Sequence, residues 1–178
     1  YYLMKLKQFN FIKVNSTNQT AIKLIKKSNT DFGIIITETQ KKGKGQYGRK
    51  WISYKGNIFL TIFYKLEKIN LTISKLTKIN CLLVKKVISN YYKKKISFKL
   101  PNDLLIEKKK ICGILQEKIE KLDQNYLIVG IGLNLIKSPK IKNYPTTSLL
   151  ELTKHKINKK MFQNQLKITF EKFLSKYY

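Results

Sequence analysis

A glycine-rich loop at residues 42–51, with the sequence KGKGQYGRKW, lies between two apolar segments that are both typical of β-strands. These segments are residues 33–37 and residues 57–64. Glycine lets backbone N–H groups approach a ligand, and lysine or arginine adds positive charge, so the loop predicts a phosphate-binding site. A solvated basic hairpin loop has the same composition and remains an alternative at this point.

Two familiar glycine motifs do not fit this loop. Gly43, Gly45 and Gly48 have the spacing G-x-G-x-x-G, but the dinucleotide-binding motif requires a helix to begin in the loop. Here a turn and a second strand follow Trp51, so we do not expect a Rossmann fold. A Walker loop fails as well, because it requires G-K-[ST] and no serine or threonine follows Gly48 at that spacing. Strand, loop and strand together predict a long hairpin.

The composition limits the class of protein. The chain has 178 residues, of which 43% are hydrophobic, and this is sufficient for one globular domain with a core. It carries 37 Lys and Arg against 10 Asp and Glu, a formal charge of +27 that would attract nucleic acid, nucleotides or an acidic protein. The cations are scattered along the chain and no DNA-binding motif is present, so specific nucleic-acid binding is not expected.

The cysteine and histidine residues are poorly placed in the sequence to bind a metal ion or to form a catalytic triad. Cys81 and Cys112 lie among apolar residues and form no C-x-x-C pair, so we expect buried, reduced thiols and no structural metal site. His155, the one histidine, lies in a lysine-rich segment and is expected at the surface. No apolar run is long enough for a membrane helix and no signal peptide is visible, so a cytoplasmic protein without a membrane partner is expected.

The order of predicted elements indicates an α+β fold with a mixed, mostly antiparallel sheet packed against helices. A second hairpin, with its turn at Lys108 and Lys109, carries Gly113 in its returning strand, which suggests close approach by a ligand or a neighbour. Strands are predicted at residues 9–14, 33–38, 57–64, 96–100 and 126–135, and helices at residues 16–27, 71–92 and 161–178.

Several short motifs occur in an order that resembles the biotin–protein ligases. They are STNQ at 16–19, ETQ at 38–40, KGKGQYGRKW at 42–51, KLPNDLLI at 99–106, KKICGIL at 109–115 and GIGLNL at 130–135. The resemblance runs from about residue 9 to residue 175. It implies the biotin/lipoate ligase type of fold, which is related to the class II aminoacyl-tRNA synthetases.

The resemblance implies an ATP-dependent, AMP-forming ligase. In such enzymes biotin and ATP, with Mg²⁺, give biotinyl-5'-AMP and pyrophosphate, and the biotinyl group then passes to a lysine of a biotin carboxyl carrier protein domain. Acetyl-CoA carboxylase supplies that domain in the family. A homodimer is possible.

The resemblance also assigns roles to individual residues. Lys110, Arg49 and Asp103 are implied to be catalytic, with Asp103 orienting the lysine or holding Mg²⁺. Backbone N–H groups at residues 44–46 would bind the reacting oxygens, and Gly113, Gly130 and Gly132 would give the flat ligand room. The implied biotin-binding residues are Ser16, Thr17, Asn18, Gln40, Gly43, Lys44, Gly45, Gln46, Trp51, Lys110 and Gly113. The implied nucleotide-binding residues are Gly48, Arg49, Asn102 and Asn134.

The chain departs from the family pattern at Gln46, where many members carry an arginine that helps to retain the adenylate. Glutamine can donate a hydrogen bond but brings no charge, so weaker retention is expected. We further expect a single catalytic domain over residues 1–178, with neither an N-terminal DNA-binding domain nor a C-terminal β-barrel domain.

Three alternatives to a biotin–protein ligase remain at this stage. A lipoate–protein ligase would share the fold but carry a longer arginine- and glycine-rich motif. A catalytically weak module that binds biotin or a nucleotide would agree with Gln46. A basic nucleic-acid binder would agree with the net charge.

Overall fold

A seven-stranded sheet forms the centre of the protein in the computed structural model, which describes residues 3–178. The strand order is β1-β2-β3-β7-β6-β5-β4, with β1 parallel to β2 and all other neighbours antiparallel. This arrangement confirms the predicted α+β class. The strands are β1 (Lys7–Val14), β2 (Phe32–Gln40), β3 (Ile58–Lys65), β4 (Ile96–Lys99), β5 (Asp103–Ile106), β6 (Lys109–Lys121) and β7 (Gln124–Leu133). The helices are α1 (Thr17–Lys27), α2 (Ile73–Ile88), α3 (Leu149–Thr153) and α4 (Lys159–Leu174).

The first helix connects the two parallel strands. Ser16 caps α1, because its side chain accepts a hydrogen bond from the N–H of Gln19. Ala21 and Ile25 of α1 are buried against Ile35, Phe63 and other apolar residues of the sheet. The crossover therefore returns the chain along β2 and places the N-terminal end of α1 over the middle of the sheet.

Helices cover both faces of the sheet, so the central strands are buried on both sides. In β2, Ile35 belongs to the core under α1, whereas Ile34 and Ile36 belong to the larger core under α2 and α4. Burying one such side chain stabilises the fold by roughly 1.5–3 kcal/mol. The strand predicted at residues 33–38 is thereby confirmed, and its three consecutive isoleucines are buried on both faces of the sheet.

Two helices differ in length from their predictions. α2 begins after Thr72, whose hydroxyl caps the N–H of Lys75, and it ends at Ile88. Residues 89–91 form turns, and the helix does not reach residue 92 as predicted. α4 begins after Asn158 and ends at Leu174. The short α3 was not predicted, because five residues are too few to show helical periodicity.

The second hairpin turns one residue earlier than predicted. Glu107 and Lys108 have φ of 50° and 62°, whereas Lys109 already belongs to β6. A two-residue hairpin turn of type I′, which matches the right-handed twist of the strands, requires positive φ at both of its central residues. Leu122 and Asp123 form the same kind of turn between β6 and β7, with φ of 48° and 60°.

The two cysteines and the histidine lie where the sequence predicted them. Cys81 and Cys112 are buried free thiols, and His155 is exposed. In the part of the chain that the structure describes, no helix has the length and apolar character needed to cross a membrane.

Both thiols should be unreactive in the folded protein. Burial raises the pKa of the Cys81 thiol to about 11, so only about one molecule in a thousand carries the thiolate at pH 8. Burial raises the pKa of the Cys112 thiol further. We expect a colorimetric thiol titration at pH 8 to detect neither cysteine in native protein and both in denaturant. A thiol that reacts rapidly without denaturant would contradict the burial.

Candidate active site

A cavity of about 930 Å³ opens on the face of the sheet that carries α1, next to the beginning of that helix. Its wall combines the loop at 42–51, the ends of β5, β6 and β7, and a loop at 139–146. A volume of this size is typical of pockets for small ligands. The predicted site residues that line it are Ser16, Thr17, Asn18, Gln40, Lys44, Gly45, Gln46, Arg49, Trp51, Asn102, Asp103, Lys110, Gly113 and Asn134.

Two predicted contact residues do not line the cavity. Gly43 is buried behind the wall, where an added Cβ would lie 2.6 Å from the Trp51 carbonyl oxygen. Gly48 has φ of +73° and open space around it, so it serves the turn. Both glycines thus have backbone roles in the structure, and direct ligand contact at these two positions stays a prediction.

The loop at 42–51 forms a small hairpin of its own. The Trp51 N–H donates to the Gly43 carbonyl oxygen at 2.8 Å, and the Gly45 N–H donates to the Arg49 carbonyl oxygen at 2.7 Å. The Gly45 N–H is consequently engaged within the loop, which corrects the expectation that it is available to a reacting oxygen. Tyr47 at the tip has 87% of its surface exposed. The loop thus has a bonded base and an exposed tip.

The glycines of the sheet face make room for the protein's own side chains. Trp51 lies across β6 and β7. A Cβ added at Gly113 would lie 2.7 Å from the Trp51 ring, and a Cβ added at Gly132 would lie 2.5 Å from it. The Asn18 side chain covers Gly130 in the same way. The prediction that these glycines accommodate a close neighbour holds. The immediate neighbours are Trp51 and Asn18, however, and a ligand would lie on top of them.

A polar wall stands beside this floor. The Thr61 hydroxyl is fully buried and lies 2.6 Å from Asn18 Oδ1 and 2.8 Å from Thr17 Oγ1. Gln40 Oε1 accepts from the Thr17 N–H at 2.9 Å, and Asn18 Nδ2 donates to Glu117 Oε2 at 2.8 Å. These bonds hold the hydroxyl and amide groups in fixed positions, as a binding site for a polar ring requires. Sequence reasoning did not identify Thr61 or Glu117.

An ion pair lies at the opposite side of the cavity. Lys110 Nζ is 2.9 Å from Asp103 Oδ1, and the two side chains are only 16% and 13% exposed. The Lys110 ammonium also lies 5.1 Å from the centre of the Trp51 ring, within cation–π range. The strand pairing brings the two charges together, because β5 and β6 are adjacent antiparallel strands.

Tyr144 completes this cluster and was not predicted. Its hydroxyl donates to Asp103 Oδ2 at 2.6 Å. Burial and the neighbouring Asp103 carboxylate raise the pKa of the Tyr144 phenol, so it remains a neutral donor at physiological pH. The sequence gives no signal for this role, since Tyr144 lies in a loop without regular periodicity.

The residues around Asp103 do not form a metal cage. Within residues 3–178 no group of three or more carboxylate, histidine or cysteine side chains is placed to hold a metal ion. Asp103 Oδ2 accepts the Tyr144 hydrogen bond, whereas Oδ1 lies 2.9 Å from Lys110 Nζ as an ion pair and accepts no hydrogen bond from the described residues. This geometry fits a role for Asp103 in orienting the lysine, and its expected role in holding Mg²⁺ stays a prediction.

The charge of the cavity is strongly positive. Among its described lining residues, Asp103 is the one carboxylate, whereas seven are cations. Such a lining favours anionic ligands, and the partial burial of Lys110 strengthens its electrostatic interactions. The cationic lining residues are Lys44, Arg49, Lys50, Lys99, Lys110, Lys140 and Lys142.

The chain belongs to the biotin/lipoate A/B protein ligase family, whose family model matches residues 10–134. It is 31% identical over 124 residues to the bifunctional ligase/repressor BirA of Escherichia coli strain K12, covering 68% of this chain and 38% of that protein. It is 27% identical over 167 residues to BirA of Bacillus subtilis strain 168, covering 89% and 51%. The chain therefore spans less than two thirds of the length of these relatives.

A solved structure of a biotin protein ligase has the same fold as this chain. A biotin protein ligase from Aquifex aeolicus, in complex with biotin and ATP, superposes with a TM-score of 0.80 at 25% identity. The superposition covers 96% of this chain and 71% of that chain. The predicted biotin/lipoate ligase type of fold is confirmed.

Replacing Gly132 with alanine should displace Trp51 from the cavity floor. The added methyl group would lie 2.5 Å from the indole, and such overpacking costs roughly 1–3 kcal/mol. Because Trp51 is the sole tryptophan, fluorescence excited at wavelengths that tyrosine does not absorb reports on it alone. We expect a red-shifted emission and a lower urea midpoint.

Gly45→Ala is the matched control, since an added Cβ at Gly45 has no neighbour closer than 3.6 Å. It should leave both the emission maximum and the midpoint near the wild-type values. An unshifted emission maximum in Gly132→Ala would show that Trp51 does not depend on this glycine.

Proposed function

We propose that this protein is a biotin–protein ligase that converts biotin and ATP to biotinyl-5'-AMP and then transfers the biotinyl group to a lysine of a carrier domain. The observation that carries the proposal is the Lys110–Asp103 ion pair, which faces a fixed polar wall across a single cationic cavity. Membership of the ligase family supports it, as does the similarity to an Aquifex aeolicus ligase that binds biotin and ATP.

Adenylation joins two anions, so the site has to offset their repulsion. A biotin carboxylate oxygen attacks the α-phosphorus of ATP, an acid anhydride bond forms, and the bond to the β-phosphate breaks with loss of pyrophosphate. Lys110 would contact both the carboxylate and the α-phosphate, where charge develops. Arg49, on the exposed side of the loop, would contact the departing pyrophosphate or the nucleotide. Mg²⁺ would supply further charge neutralisation while carried on the nucleotide phosphates.

The polar wall suits the ureido ring of biotin. A buried ureido group needs a donor for its oxygen and acceptors for its two N–H groups, since an unpaired polar group is costly to bury. Ser16, Thr17 and Gln40 line the cavity and carry hydroxyl and amide groups of the kinds that these bonds need. Asn18 is engaged by Thr61 and Glu117, so its role would be to support this wall. Asn102 and Asn134 would lie beside the adenylate.

Transfer to the carrier requires an uncharged amine. The lysine nitrogen attacks the carbonyl carbon of biotinyl-AMP, an amide bond forms, AMP leaves, and a proton passes to solvent or to Asp103. The positive rim of the cavity suits a carrier domain with an acidic surface. A biotin carboxyl carrier protein domain, a cytoplasmic location and a homodimer are further parts of this proposal.

Biotin, ATP and Mg²⁺ should release pyrophosphate, and biotin should become attached to a purified carrier domain. Lys110→Ala should lower the adenylation rate about 100-fold or more, because the charge that balances the two anions is lost. Pyrophosphate release and streptavidin detection of the carrier measure the two steps separately.

The same assay separates the alternatives. Intact biotin binding without pyrophosphate would favour a binding module. Pyrophosphate released with lipoate in place of biotin would favour a lipoate ligase. If the protein instead bound only DNA, with a strongly salt-dependent affinity that Lys110→Ala left unchanged, both ligase functions would be rejected.

Gln46→Arg should slow the release of biotinyl-AMP. Gln46 lies on the cavity wall within the loop, and an arginine there would add a charge-assisted contact to the phosphate, worth roughly 1.5–3 kcal/mol. We therefore expect at least tenfold slower release of radiolabelled adenylate from the variant on dilution into unlabelled biotin and ATP. Gln46→Lys is the matched control, because lysine adds the same positive charge as arginine but cannot bind a phosphate through two parallel hydrogen bonds. Equal release rates for wild type and Gln46→Arg would mean that this position does not control retention.

A further inference from the structure

We propose that Tyr144 is a positioning residue for adenylation, which fixes the Asp103 carboxylate and through it the Lys110 ammonium. This inference rests on the proposed function. The hydroxyl of Tyr144 and the ammonium of Lys110 bind different oxygens of one carboxylate, at 2.6 Å to Oδ2 and 2.9 Å to Oδ1. Tyr144 holds Oδ2 by a hydrogen bond, whereas Oδ1 accepts no hydrogen bond from the described residues and is held by the charge of Lys110 alone. The tyrosine is therefore the directional contact that sets the rotation of this carboxylate about its Cβ–Cγ bond.

The loop that carries Tyr144 also holds the backbone of Lys110. The Lys110 N–H donates to the Pro145 carbonyl oxygen at 2.8 Å, and the Thr147 N–H donates to the Lys110 carbonyl oxygen at 2.9 Å. One loop therefore determines both ends of the ion pair: it fixes the Lys110 main chain directly and the Asp103 carboxylate through the tyrosine. This double attachment distinguishes Tyr144 from a side chain that merely fills space.

The environment of the ring keeps the hydroxyl aimed at Asp103. Lys99 Nζ lies 4.0 Å from the centre of the Tyr144 ring and Lys110 Nζ lies 5.6 Å from it. Two cations near one aromatic ring favour a fixed ring orientation. Phenylalanine would keep the ring and its cation–π contacts and would remove the hydroxyl alone.

The chain offers a matched control outside the cavity. The hydroxyl of Tyr126 donates to Asp31 Oδ1 at 2.6 Å, and Tyr126 does not line the cavity. Tyr126→Phe removes the same kind of hydrogen bond, with the same length, from a tyrosine that has no contact with Lys110. Any general cost of losing a tyrosine–carboxylate bond should appear equally in both variants.

Tyr144→Phe should lower kcat for pyrophosphate release about 10- to 100-fold, because a misplaced catalytic group loses rate even when substrate still binds. The KM values for biotin and ATP should change by less than about twofold, since the loss concerns the transition state. Tyr126→Phe should change neither constant. A kcat within about twofold of wild type in Tyr144→Phe, or a rise in KM alone, would overturn the proposal.

A double-mutant cycle tests whether Tyr144 acts through Asp103. Asp103→Asn keeps the shape of the side chain but removes its charge, so in that background Tyr144→Phe should have an additional effect of less than about twofold. An equal loss in both backgrounds would mean that Tyr144 acts independently of Asp103, and would overturn the assignment.

A crystal structure of Tyr144→Phe supplies a readout that needs no turnover. We expect the Asp103 carboxylate to rotate and the Lys110 Nζ–Asp103 Oδ1 distance to increase from 2.9 Å. An unchanged ion pair would overturn the positioning role even if the wild-type protein released no pyrophosphate. Failure of wild-type adenylation alone would instead reject the proposed function.

Discussion

The packing of the Trp51 indole against two glycines of the sheet determines the shape of the cavity floor. Trp51 ends the glycine loop and lies over Gly113 and Gly132, on two neighbouring strands. The contact is possible only because both positions lack a Cβ. It attaches the loop to the sheet without a hydrogen bond from the indole, whose Nε1 has no partner among the described residues. The Lys110 ammonium lies 5.1 Å from the centre of the same ring, so the loop, the floor and the cation all meet at Trp51.

Electrostatics explains why the ion pair needs such support. A half-buried lysine and carboxylate lose hydration, and their attraction offsets that loss only when the geometry is good and the remaining lone pairs are satisfied. In this protein the second Asp103 oxygen is satisfied by Tyr144, and the surrounding cavity is otherwise cationic. Asp103 is therefore the one local charge that keeps Lys110 oriented among repelling neighbours. An anionic substrate entering the cavity would reduce that repulsion, so binding and orientation of Lys110 favour each other.

The sequence predicted regular, local features well and non-local contacts poorly. The buried β2, the hairpins and the capped α1 follow from periodicity and capping, which are properties of neighbouring residues. The family resemblance placed Lys110, Asp103 and Trp51 in one site. The resemblance could not show that the Trp51 side chain itself fills the space over Gly132. That contact depends on how the loop at 42–51 folds back onto the sheet. Tyr144 and Thr61 escaped notice for the same reason: each acts through a partner more than 40 positions away in the chain.

Two loops with different attachments therefore form the two sides of the cavity. The loop at 139–146 is bonded to β6 through its main chain on both sides of the Lys110 residue, so its position is coupled to that of the charged pair. The loop at 42–51 is bonded mainly within itself and exposes Tyr47 at its tip. Local opening requires little free energy where few contacts to the remainder of the protein have to break. Local opening should therefore be confined to the exposed tip of the glycine loop, where Tyr47 and Gln46 lie, because Trp51 holds the base of the loop against Gly113 and Gly132.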